Sequence, residues 1–325
     1  MCARRWQWGL FLLLVVLFLY PFVAFAQGLP KALITHSSES VTTAFLTYGI
    51  DKGFYRKVGI DLEFRLLRGD LGVSAMIGSK EVDYIYGTGT AFLAAVKGAP
   101  VKVLANNFNS VLFYLMAQPG VQSSRDLKGK KIAVSSLGGS GVLSAKASLR
   151  ALGLDPDKDM TFIVIGAAPI RMAAMDSGSV EAAIMPVPWN VVMRKKGFKQ
   201  LLFAGKVMPP QPVTGITASK EKIEKSPEQV GKVLQGFLYT LRAVRKEKKE
   251  FSEYLARKFN LDFPVAEEVY NFALEILTED GTIGEPVLRE YLEQVKKEAG
   301  VRREIPLSEI VDYRLAREIS KGLGK

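Results

Sequence analysis

The sequence predicts an α/β chain of two lobes with a helical C-terminal section, and three observations carry that expectation. From Lys31 to Phe203, short apolar runs of strand type alternate with helical patterns, the arrangement of β-α units around a mostly parallel sheet. Two further strand-like segments, 111–118 (VLFYLMAQ) and 213–219 (VTGITAS), frame a middle block, as expected of a chain that crosses twice between lobes. From Lys220 onward the apolar residues fall at helical spacing with few strand-like runs.

Taken in order, residues 1–26 read as an export leader: Arg4 and Arg5, an uninterrupted apolar run from Leu10 to Tyr20, then Pro21 and the small-residue ending Ala24-Phe25-Ala26. That run is short of the roughly 20 residues a membrane span needs, so cleavage after Ala26 is expected. The uncharged stretch from Trp6 to Ala26 is just long enough for the alternative, an uncleaved anchor. Cys2 precedes the apolar run, whereas a lipid-anchor cysteine would follow it.

Strands are expected at 32–35, 62–67, 84–86, 101–105, 131–134, 161–165 and 182–185. Helices begin on polar or glycine signals: Ser40-Val41-Thr42-Thr43, the segment 70–73, Gly87-Thr88-Gly89-Thr90, the segment 138–141, and Pro169. The closing section holds amphipathic helices at 227–246, 264–278 and 285–299. The expected division is a leader over 1–26, a first lobe of 27–118 plus 213–325, and a second lobe of 119–212.

Composition narrows the function. The chain has 325 residues, 48% hydrophobic and 24% charged, which excludes disorder and fibrous repeats. Its 44 basic and 33 acidic side chains give a net charge of +11, and the excess is localised. Residues 220–325 hold 20 of each sign, whereas residues 27–219 hold 22 basic and 13 acidic, so an anion-seeking surface belongs in the first two thirds. The basic run from Arg242 is interleaved by Glu247 and Glu250 on a solvated helix face, and no nucleic-acid role is expected. One histidine and one cysteine provide no zinc cluster and no intramolecular disulfide. No metal, cofactor or catalytic residue is expected.

Four segments together resemble one family. They are YGIDKGFYRKVGIDLEF from Tyr48, MIGSKEVDY from Met76 followed by Gly98 and VKVLA, DLKGKKIAV from Asp126 with a glycine-rich turn beyond it, and MDSGSVEAAI from Met175. In order and spacing they are similar to the substrate-binding proteins of ABC importers for nitrate, sulfonates, taurine and thiamine precursors. The resemblance implies a type II periplasmic-binding-protein fold, two α/β lobes joined by two hinge strands, closing on a small ligand. It also implies an ABC permease with its ATPase as partners, a periplasmic location, and membrane contact only through the permease or an uncleaved leader. Two departures stand out: Val180-Glu181-Ala182 where the family often has Val-Asp-Ala, and Val187-Pro188-Trp189 where it often has Glu-Pro. The second removes a carboxylate from a cleft position and points away from cationic or amine-bearing ligands.

Ligands of open α/β sheets sit beyond the carboxyl ends of the strands. The loops there supply His36, Ser37 and Ser38 after the first strand, Arg68 and Asp70 after the second, Thr88, Gly89 and Thr90 after the third, and Ser135, Ser136, Gly138, Gly139 and Ser140 at the opening of the second lobe. Unpaired N–H groups at helix N-termini around a cleft suit sulfonate, nitrate, carboxylate or phosphate. Each candidate has a plainer reading beside it. The glycine-rich turn and Thr88 can be simple helix caps; Asp70 can neutralise Arg68; His36 can be structural. Arg171, in the first turn of a helix, opposes the helix dipole and calls for a counter-anion unless it lies on the surface. Pro188 and Trp189 can wall an apolar ligand group or pack in the core. The function expected is a non-enzymatic receptor for a small anionic or zwitterionic organic ligand; the alternative is an enzyme or binding protein of thiamine-pyrimidine metabolism on the same fold.

Overall fold

The computed structural model describes residues 28–323, so the leader expected over 1–26 lies outside the described residues. Ten strands follow in chain order: β1 (Lys31–His36), β2 (Asp61–Leu66), β3 (Tyr84–Gly87), β4 (Val101–Asn106), β5 (Phe113–Ala117), β6 (Lys131–Val134), β7 (Thr161–Val164), β8 (Ala182–Pro186), β9 (Lys199–Phe203) and β10 (Thr214–Ser219). They form two five-stranded sheets with the same plan, β2-β1-β3-β10-β4 and β7-β6-β8-β5-β9.

In each sheet the first three strands of that order are parallel, as right-handed β-α units require. The fourth in order, β10 or β5, runs antiparallel to both its neighbours. These two are the strands entered directly after each crossing, so each sheet is completed by the chain arriving from the other. All four β3 residues and all five β8 residues are buried, because helices cover both faces of a parallel sheet and the strand reads as an unbroken apolar run.

Three elements differ from the sequence reading. The segment expected at 111–118 as a crossing strand is β5, hydrogen-bonded between β8 and β9 inside the second sheet, and the crossing itself lies at 107–112. The edge strand β9 was not anticipated: its apolar part is only Leu201, Leu202 and Phe203, and pairing with β5 rather than local pattern makes it a strand. The helix expected over 264–278 runs over Phe263–Glu275.

Helix Pro227–Lys246 buries Val230, Val233, Leu234, Phe237, Leu238 and Leu241 at helical spacing, and Phe237 and Phe108 both pack on Phe45, with ring centroids at 5.7 and 6.1 Å. The C-terminal helices thereby share one core with the first sheet, while the second sheet has a smaller core on each face.

The two crossings meet at a buried polar joint. Asn106 and Asn107, at the end of β4, are fully buried. Asn106 Nδ2 donates to Thr88 Oγ1 at 2.8 Å and to the Thr214 carbonyl at 3.0 Å, and its Oδ1 accepts from the Tyr313 hydroxyl. Asn107 Nδ2 donates to Tyr86 at 2.6 Å, and its Oδ1 accepts from Thr214 Oγ1 at 2.8 Å. The outgoing strand end is thus tied to the start of the returning strand. Replacing Asn107 by Leu keeps the volume but orphans the Thr214 hydroxyl and removes a partner of Tyr86. Asn107→Leu is expected to lower unfolding free energy by about 2–4 kcal/mol in urea titration; a change below about 0.5 kcal/mol would show that the joint carries no such weight.

Candidate functional site

The carboxyl ends of β1, β3, β6 and β8 face one cavity of about 40 Å³. On the measure by which roughly 10–15 Å³ holds one water, this is room for a few waters or a group of similar size. Four helices begin at it. Helix Val41–Asp51 contributes Ser40 and Thr42, helix Thr88–Val96 contributes Gly89 and Thr90, helix Ser140–Ala151 contributes Ser140 and Gly141, and helix Ala168–Asp176 contributes Arg171. Their N-termini bring partial positive charge together at the cavity, although the Val41 and Ala168 N–H groups are already paired, with the Val187 carbonyl and Ser38 Oγ.

Ten of the sequence candidates line this cavity: His36, Ser37, Ser38, Gly89, Thr90, Ser135, Ser136, Gly138, Ser140 and Arg171. Arg171 departs from the surface reading. Its side chain is fully buried; Nε donates to the Ile184 carbonyl at 3.1 Å, another nitrogen donates to the Gly166 carbonyl, and one terminal nitrogen has no partner. Burial pushes its guanidinium down to about 9, still above neutral pH, so it stays charged. No described carboxylate forms a salt bridge with it, and the cavity lining contains no acidic side chain.

His36 stands at the end of β1, its ring edge-on to Tyr86 at 5.8 Å. Burial pushes the imidazole down to about 4, so it lines the cavity as a neutral ring. Ser136 Oγ closes its own loop by donating to the Gly138 carbonyl at 2.6 Å, and Ser40 Oγ lies 2.7 Å from Thr42 Oγ1.

The remaining candidates lie elsewhere. Arg68 and Asp70 form an exposed bidentate pair with each other, at 2.8 Å through both nitrogens, and stand outside the cavity; helix Gly69–Ile77 starts between them and turns both outward. Thr88 is buried behind the cavity as the acceptor of Asn106. Gly139 lies beside the lining, with φ +87°. Pro188 and Trp189 do not line the cavity. The Trp189 indole donates to the Glu39 carbonyl at 2.7 Å and packs edge-on against Phe259, so it joins the two halves of the molecule instead of walling a ligand.

Sequence reasoning left out Ser40, Thr42, Gly87, Gly141, Leu112, Phe113, Pro186, Val213 and Thr214. Gly87 and Gly141 belong to the ligand-facing loops the sequence singles out, and Ser40 sits in a helix-start signal read there for capping alone. Leu112, Phe113, Val213 and Thr214 come from the two crossings, and nothing local marks a crossing segment as a cavity wall.

The halves meet closely around the cavity. The Ala168 N–H donates to Ser38 Oγ at 3.0 Å and the Val41 N–H to the Val187 carbonyl at 2.8 Å. At Gly89, a Cβ would lie 2.7 Å from the Ser140 nitrogen and 3.3 Å from Gly139 Cα. Gly89→Ala, which helix propensity alone favours, is therefore expected to wedge the halves apart and raise the radius of gyration in small-angle scattering; an unchanged value would contradict the close approach. His36 makes a second expectation. Its folded value lies below its unfolded one of about 6.5, so the unfolded state binds the extra proton and stability falls as pH drops from about 6.5 towards 4. His36→Gln is expected to remove roughly 2–3 kcal/mol of that acid-side loss, seen in denaturation at pH 4.5 against pH 7, with no gain above pH 7.

Among the described residues no helix is long and apolar enough to cross a membrane, and no group of three or more His, Cys, Asp or Glu could hold a metal ion. The chain is 27% identical over 223 residues to a protein of Brucella abortus (strain 2308) named as a binding protein; the match covers 66% of this chain and 66% of the relative, just under two thirds of its length. Among solved structures, the alkanesulfonate-binding protein SsuA of Xanthomonas axonopodis pv. citri, bound to MOPS, superposes with a TM-score of 0.71 at 16% identity, covering 89% of this chain and 100% of that one. The periplasmic nitrate-binding protein NrtA of Synechocystis PCC 6803 superposes with a TM-score of 0.72 at 18% identity, covering 91% and 89%. At such identities the likeness establishes the fold, which is that of the periplasmic binding proteins. The NMT1/THI5-like family model matches residues 41–249, well over half of the chain, and the protein belongs to that family.

Proposed function

We propose that the protein is an exported receptor that captures a small anion of sulfonate, nitrate or carboxylate type between two closing lobes and passes it to an ABC permease driven by its ATPase. One lobe is the first sheet with the C-terminal helices, the other the second sheet; residues 107–112 and 207–213 form the hinge. The observation that carries the reading is Arg171: a buried guanidinium that lines the cavity, keeps an unpartnered nitrogen and meets no carboxylate. Burying a charge without a counter-charge is costly, and an arriving anion supplies the missing partner. The helix starts at Thr90 and Ser140 and the ring of serine and threonine hydroxyls add donors for the remaining oxygens. The alkanesulfonate-binding and nitrate-binding structural neighbours support an oxyanion ligand.

The test is a thermal-shift panel of nitrate, methanesulfonate, taurine, arylsulfonates, aromatic carboxylates and pyrimidine thiamine precursors, read against wild type and Arg171→Leu. A ligand at 100 times its Kd stabilises by about 2.7 kcal/mol. An anion is expected to shift wild type, and Arg171→Leu to weaken it roughly 10- to 100-fold. The ligand-free stability of the variant should change by less than about 1 kcal/mol, since the cost of an unpaired buried charge disappears with its two hydrogen bonds. Undiminished anion affinity in Arg171→Leu would sink the reading.

A further inference from the structure

Helix Glu285–Ala299 lies outside the span matched by the family and touches both lobes. Leu288, Leu292 and Val295 bury one stripe of it in the core shared with the first sheet. One side chain near the end of this helix, Glu298, turns to the second lobe's helix Ser140–Ala151. At mid-helix, the Tyr291 ring packs on Phe92 in that same core, and its buried hydroxyl, without a partner, faces Gly89. Two turns later, Glu298 meets Arg150 at 3.2 Å and Lys146 at 3.7 Å.

Asp157, in the second lobe, shares both cations, with Lys146 at 2.7 Å and Arg150 at 3.4 Å. Opening at the hinge would part Glu298 from this cluster and leave Lys146 and Arg150 with Asp157 as their one carboxylate, so the charges balance only while the lobes are closed. Glu298, Lys146 and Arg150 are 24%, 21% and 48% exposed, so solvent screens this cluster less than a second cross-lobe pair among the described residues, Lys195–Asp262, at 55% and 75%.

We propose that Glu298 is a positioning residue, an ionic latch that holds the lobes closed by gripping the helix whose first turn lines the cavity. The latch rests on the two-lobe closure proposed above but acts on the lobes themselves, so it is read without any ligand.

The experiment measures interlobe distances by pulsed electron spin resonance in the full chain. Cys2 is the only cysteine, so a Cys2→Ser background with Ser79→Cys and Ser177→Cys, at exposed sites on the two lobes, carries the labels. Glu298→Lys is expected to lower the closed-to-open ratio roughly two- to tenfold, and about 0.5 M NaCl to lower it in wild type. Inverting the whole cluster (Glu298→Lys with Lys146→Glu, Arg150→Glu and Asp157→Lys) is expected to restore it. If that variant does not fold, Glu298→Gln serves as the second variant and should lower the ratio less than Glu298→Lys. A wild type open throughout, or a ratio indifferent to Glu298→Lys, overturns the proposal. Arg171→Leu should leave the ligand-free distances unchanged, so failure of the anion reading and failure of the latch give different results.

Discussion

The joint between Asn106, Asn107 and Thr214 is the constraint on which the rest of the architecture depends. A single chain builds both sheets and must leave the first one and return to it, and both transits pass through the same few buried residues. Because the joint also binds Thr88 and Tyr86, and the Tyr86 hydroxyl donates to the Thr42 carbonyl at 3.0 Å, it fixes the first turns of two helices that open on the cavity. Thr278 and Tyr313 bond to Asn106 from the C-terminal section, which accounts for that section packing onto the first sheet and not the second.

With the crossings fixed, the electrostatics of the cleft follow from strand polarity. Parallel strands feeding helices put every helix N-terminus on the carboxyl edge of its sheet, and the two sheets turn those edges towards each other. The dipoles therefore reinforce one another at the cavity. Arg171 adds a full charge of the same sign where the helix dipole opposes it, and no acidic side chain in the lining offsets the sum. A cavity of this polarity is a poor home for a cation and a prepared one for an anion. The basic excess of the middle block, 13 basic against 6 acidic residues over 119–211, acts at longer range, on encounter more than on selection.

Much of this was legible from the chain alone, because parallel strands with capped helices leave strong local marks. The extents of β6, of helix Pro227–Lys246 and of helix Glu285–Ala299 follow directly from apolar spacing and a helix-start proline or glycine. The rule that ligands lie beyond strand ends picked out His36 and Ser135, which line the cavity, and also Arg68 and Asp70, which pair with each other on the surface; Arg171, picked out by its place in a helix's first turn, lines the cavity too. Both readings of Arg68 were open in the sequence, and the turn of helix Gly69–Ile77 decides for its pair with Asp70. Trp189, read as a possible ligand wall, is an interlobe strut, and Phe113 and Thr214 became cavity wall only because the crossings bring them there.

The central claim is that an acidic group completes the Arg171 guanidinium. The most direct measurement is a crystal structure of the protein saturated with the anion that stabilises it best. The account expects the acidic group inside the cavity, within hydrogen-bond distance of the unpartnered Arg171 nitrogen and facing the helix starts at Thr90 and Ser140. A ligand held outside the cavity, or one inside it with its acidic group turned away from Arg171, would contradict the account.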